Sequence, residues 1–157
     1  MDGQTPQGMG LSGNPLMGIP EGSLITLDTA PIIYYLQDHP VFAAKFEPLF
    51  ESAAAGKIHI VISSITLAEV LCGPLATGNE LLASKYRAVL SGSPGWRVLP
   101  VDEELAVIAA RLRSRYKIRL PDAIQVATAV QTRSYALVTH DRTLRKIRDV
   151  KVIGISP

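Results

Sequence analysis

Four acids stand where an apolar run gives way to a helix-like segment: Asp28 in LDTA, Glu69 in ITLAEVL, Asp122 in LPDAIQVATA and Asp141 in VTHD. A carboxylate can ligate a hard cation, orient a water molecule or take its proton. Each acid also has a purely structural reading. Asp28 and Asp141 suit helix N-caps, worth about 1 kcal/mol apiece. Thr66 and Glu69 match the S/T-x-x-E capping box, and Asp122 falls in a first helical turn, where the helix dipole favours an acid. Taken together these readings weaken, because ionised acids gathered at one edge repel one another and are costly to bury unpaired. A bound cation relieves both costs. With one cysteine and three dispersed histidines, the donors select Mg²⁺ or Mn²⁺ rather than a thiolate- or imidazole-bound metal. That ion suits attack of water on a phosphodiester, since it acidifies the water and neutralises the leaving oxygen. Thr29 and Thr139 could orient the carboxylates or the water, or be ordinary helix-start and strand-end threonines.

The elements that must carry these acids follow from the hydrophobic pattern. Short β-branched runs predict strands over 23–28, 57–63, 96–101, 135–139 and 150–155. Helical spacing predicts helices over 29–37, 41–55, 64–71 (stopped by Gly73-Pro74), 79–90, 102–116 and 121–133, with a short helix after Asp141. Strands alternating with helices predict an α/β fold with a parallel sheet covered on both faces. In such a sheet Asp28 and Asp141 close two strands at the same edge, where ligand sites of open α/β sheets lie.

Length and composition set the frame. A chain of 157 residues, 47% hydrophobic and 19% charged, is long enough for one domain with a sizeable core. Residues 1–22, rich in Gly, Pro and Met, read as a disordered tail before a domain at 23–157. A lone cysteine, no long apolar run and no signal-like start predict a soluble cytoplasmic protein without a membrane segment. Cys72 reads as a small buried residue. Net charge is +2, but residues 23–80 carry −4 and residues 81–157 carry +8. That segregation suits a basic rim beside an acidic centre, as a polyanion-binding protein would need. Arg111, Arg115 and Arg119, then Arg142 and Arg145, are the candidate phosphate contacts; a solvated helix end is their alternative. His140 beside Asp141 is read as a bystander to proton transfer, and Tyr34 and Tyr35 as core or dimer contacts. G-x-S-x-G, P-loop and G-x-G-x-x-G motifs are all missing, which argues against a serine hydrolase or a nucleotide site.

The order LDTA, ITLAEVL, LPDAIQVATA, VTHD resembles the PIN-domain nucleases, in particular the toxin half of VapBC-type toxin–antitoxin pairs. The resemblance spans about residues 24–155 and matches Asp28, Glu69, Asp122 and Asp141, in turn, to the family's metal-binding acids. It implies a three-layer α/β/α fold, Mg²⁺-dependent RNA cleavage, a homodimer, and inhibition by a small antitoxin whose peptide occupies the acidic groove. This chain has His140 where the family often has Asn, and Leu144 where it often has Phe. Two other readings stay open: a non-catalytic scaffold that binds RNA or protein, and an RNA-processing nuclease without an antitoxin.

Overall fold

The computed structural model describes residues 13–155. Its centre is a sheet of five strands: β1 (Leu24–Leu27), β2 (His59–Ser63), β3 (Trp96–Leu99), β4 (Ala136–Thr139) and β5 (Val152–Gly154). They lie in the order β3-β2-β1-β4-β5, with every neighbouring pair parallel. The chain builds outward from β1 in one direction and returns to its other side with β4. That reversal opens a crevice at the carboxyl ends of β1 and β4.

Among the described residues six helices connect and cover the strands: α1 (Thr29–Leu36), α2 (Phe42–Ala54), α3 (Ser64–Ala76), α4 (Glu80–Gly92), α5 (Glu103–Tyr116) and α6 (Leu120–Gln131). Strand side chains alternate between two cores. Ile25 and Leu27 of β1, with Ala136 and Val138 of β4, join Ile32, Phe46 and Leu49 of α1 and α2. Leu137 faces the other way, among Leu105, Leu112, Ala123 and Val126 of α5 and α6. This is the expected α/β/α sandwich. Among the described residues no helix is long and apolar enough to cross a membrane.

Four local expectations are corrected. α3 runs through Gly73-Pro74 to Ala76. Near a helix C-terminus a proline forfeits only one backbone bond, and the buried position of Pro74 offsets that loss. Thr66 and Glu69 form no capping box: Ser63 is the cap, its hydroxyl accepting from the Thr66 N–H at 3.2 Å. Residues 13–22 are part of the fold rather than of a tail. Asn14 caps a 3-10 turn (Pro15–Gly18), donates to the Lys45 carbonyl at 2.8 Å, and so delivers Leu16, 5% exposed, into the core beside α2. One apolar side chain outweighed the Gly- and Pro-rich composition; the expected tail over 1–12 lies outside the described residues. Cys72 is exposed, not buried, because it falls on the outer face of α3.

Candidate active site

β1 delivers Asp28 to the crevice. Its backbone N–H donates to the Val138 carbonyl at 3.0 Å, extending the β1–β4 ladder by one bond. Its Oδ1 then accepts from the Thr29 N–H at 2.8 Å and starts α1 as an N-cap. The other oxygen, Oδ2, accepts from the Thr139 hydroxyl at 2.8 Å. Thr139 in turn accepts from the Asp141 N–H at 2.9 Å, so one hydroxyl locks together the residues that end β1 and β4. Asp141 also caps the 3-10 turn Arg142–Lys146, accepting from the Thr143 N–H at 2.8 Å.

Glu69 reaches the crevice from α3 and is exposed, its Oε1 accepting from the Thr29 hydroxyl at 3.1 Å. Asp122 is 8% exposed near the start of α6. It pairs with the Nε of Arg119, one turn before it, at 3.1 Å. All four acids line one open pocket of about 580 Å³, together with Thr29, Arg119, His140 and Arg142. Asp28 and Asp141 thus cap a helical turn and line the pocket at once.

Electrostatics follow from the crowding. Burial pushes the Asp28 carboxyl above the ordinary carboxylate range; the bonds from Thr139 and Thr29 oppose the shift, and the charges of Asp122 and Glu69 add to it. Arg119 is raised by its hydrogen bond to Asp122 and by the charges of Asp122, Asp141 and Glu69. In kind, the donor set fits a hard divalent cation: carboxylates and hydroxyls, with an ionisation cost at Asp28 that positive charge would remove. Among the described residues no three His, Cys, Asp or Glu side chains yet converge on a point that would hold a metal. Asp122 is turned to Arg119, the cation already present. Asp28, Glu69, Asp122 and Asp141 are the residues that could hold the ion.

The expected basic contacts divide. Arg119 and Arg142 line the acidic pocket. Arg111 does not; it borders a separate groove with Glu103, Glu104 and Val107 along α5. Arg115 is turned to Asp149, at 2.8 Å, and Arg145 lies against Gly154 at the far strand β5. The end of α5 explains part of the split: Arg111 and Arg115 sit within α5, but the helix stops at Tyr116, Lys117 turns the chain with a left-handed φ of 56°, and Arg119 belongs to the start of α6. His140, read as a bystander, does border the pocket; Phe42 and Tyr34 pack edge-on to its ring at 4.6 and 5.5 Å. His39 meets the same two rings, so two histidines remote in sequence share one aromatic cluster.

Gln125 was missed. It is 1% exposed on α6 and donates through Nε2 to Thr29 Oγ1 at 3.3 Å and to Thr66 Oγ1. The signal was present: a polar residue interrupts the apolar stripe Ile124, Val126, Ala127, one turn after Asp122 and on its face.

A five-stranded parallel α/β/α sandwich with carboxylates gathered at its switch point defines a class. The model of the PIN domain family matches residues 25–150, and the chain belongs to that family. Similar solved structures include FitAcB from Neisseria gonorrhoeae, 27% identical with a TM-score of 0.63 over 83% of this chain and 96% of that one. A toxin–antitoxin complex from Klebsiella pneumoniae is 25% identical, with a TM-score of 0.63 over 82% and 95%. VapC20 from Mycobacterium tuberculosis, a Sarcin-Ricin loop cleaving toxin, shares the fold at 17% identity, with a TM-score of 0.64 over 81% and 98%. No curated protein sequence matches the chain.

Proposed function

We propose that the chain is a Mg²⁺-dependent endoribonuclease and the toxin of a toxin–antitoxin pair, with Mn²⁺ able to replace Mg²⁺. The observation that carries this reading is the gathering of Asp28, Glu69, Asp122 and Asp141 around one pocket of a PIN domain. The likeness to toxin–antitoxin structures supports the biological half. A bound Mg²⁺ would lower the pKa of an attacking water and offset charge on the leaving oxygen. Around it, Thr139 holds Asp28 and Asp141 in register and Thr29 holds Glu69. Arg142 and Arg119, which line the same pocket, would take phosphates of the RNA strand.

An antitoxin and a second copy of the chain are the protein partners on this reading. Leu81 of α4 and Val107 of α5, 69% and 47% exposed, are apolar side chains such partners would cover. The experiment is RNA cleavage with Mg²⁺, comparing wild type with Glu69→Gln and Asp141→Asn. Loss in both variants supports the assignment, and equal rates reject it. The pairing of Arg119 with Asp122 gives the scaffold reading its one specific support. Mn²⁺ titration decides there: a scaffold shows no binding that depends on Asp28 and Asp141.

A further inference from the structure

Behind the acids, Gln125 ties α6 to α1 and α3 without facing the pocket lining itself. Its Nε2 donates to Thr29 Oγ1 at 3.3 Å and to Thr66 Oγ1, while its Oε1 is buried and meets no hydrogen-bond partner among the described residues. Thr29 Oγ1 in turn donates to Glu69 Oε1 at 3.1 Å. A threonine hydroxyl has one proton and two lone pairs. When Gln125 occupies a lone pair of Thr29, the single proton is left for Glu69. The opposite amide orientation would turn Oε1 toward both hydroxyls and claim that proton. It would also strand an NH₂ group where Oε1 now lies, and buried unpaired N–H groups are tolerated less well than a carbonyl oxygen. The orientation of one buried amide therefore sets the direction of the whole hydrogen-bond chain.

We propose that Gln125 is a positioning residue, fixing the Glu69 carboxylate through the Thr29 hydroxyl; this rests on the reading of Glu69 as a metal-holding acid. Glu69 needs such help more than its counterparts. Asp28 and Asp141 follow strand ends, whereas Glu69 is an exposed, flexible side chain whose one side-chain hydrogen bond among the described residues comes from Thr29. A partner one hydrogen bond removed from a ligand, as Thr29 is from Glu69, changes metal affinity by about 10- to 100-fold when lost, and Gln125 acts through that partner from one bond further back.

The test reads Glu69 first and metal second. Side-chain three-bond couplings of Glu69 are measured by NMR in the full chain for wild type, Gln125→Met, Thr29→Val, Thr29→Ser and the Gln125→Met/Thr29→Val pair. Wild type and Thr29→Ser should show one dominant rotamer, and Gln125→Met and Thr29→Val an averaged one. Mn²⁺ affinity, followed by the signal of the free ion, should fall by about tenfold in Gln125→Met. The double variant should add nothing to Thr29→Val, because the effect passes through the hydroxyl. Unchanged Glu69 couplings in Gln125→Met, or additive losses, overturn the proposal. In the wild type alone, the Gln125 amide protons should exchange slowly and show contacts to Thr29; fast exchange overturns it without any variant. If Glu69 responds as expected while RNA survives in Mg²⁺, the positioning role stands and the nuclease reading falls.

Discussion

Asp28 and Asp141 hang from the ends of neighbouring parallel strands, while Glu69 and Asp122 project from helices α3 and α6. The strand-borne pair is bound by the β1–β4 ladder and bridged by Thr139, which donates to one residue and accepts from the other. The helix-borne pair is held by side chains alone: Thr29 on Glu69, Arg119 on Asp122. Backbone ladders set positions to within the spacing of a hydrogen bond, whereas side-chain pairs with one exposed member, Glu69 in one and Arg119 in the other, rearrange at little cost. The difference divides the pocket into a rigid half and an adjustable half, and the adjustable half is where a cation, an arginine and a substrate would compete.

The largest effect should come from the rigid half. Asp28→Asn and Asp141→Asn are each expected to slow Mg²⁺-dependent RNA cleavage by roughly two to four orders of magnitude, as loss of a group acting on a reacting water does. Single-turnover rates check this. Asp28→Asn reducing the rate no more than an exposed α5 substitution would break the comparison.

Thr139→Val should come next. It removes the bridge between the two strand-borne acids, so cleavage should drop by about 10- to 100-fold. Leaving a buried Asp28 oxygen unsatisfied should also cost about 1–3 kcal/mol in denaturant unfolding.

Asp28 itself makes a pH prediction. Its folded pKa is raised, so its contribution to stability is full below the usual carboxylate pKa and is lost as pH rises through the folded value. Asp28→Asn escapes that loss. The stability difference between Asn variant and wild type should therefore shift toward the variant as pH climbs from about 4 upward. Urea unfolding at a series of pH values checks the sign, and added Mn²⁺ should restore the advantage to wild type.

The smallest effect concerns the adjustable half. Arg119 is exposed, so Arg119→Gln should leave the thermal midpoint nearly unchanged. It should raise Mn²⁺ affinity a few-fold by freeing Asp122, while weakening RNA binding. Tighter metal binding lost again in Arg119→Lys would sharpen the distinction, since lysine restores the charge without the planar fork.

How much of this was legible beforehand differs between the two halves. The strand-borne acids were readable because a strand that ends in Asp places it at a known edge once the sheet is parallel. Local chemistry then supplied the threonine partners. The Gly- and Pro-rich start misled, since composition averages over a segment in which one residue, Leu16, decides whether the chain docks. The basic run misled for another reason: it crosses the end of α5 at Tyr116, so Arg111 stays on that helix while Arg119 starts α6, and the two end on different surfaces. Gln125 was visible as a polar break in a stripe but had no assignable partner until Thr29 and Thr66 arrived from other helices.

Periodicity and residue type determined on their own the alternation of strands and helices, from which the parallel sheet follows, and the positions of the four acids where strand or loop hands over to helix, because those signals depend on neighbours within a few positions. Only the tertiary structure decided which arginines share the acids' pocket and which hydroxyl serves which carboxylate. Those relations join residues as much as 111 positions apart, as Thr139 and Asp28 show. Hydrogen bonds depend on ångström distances that packing alone sets.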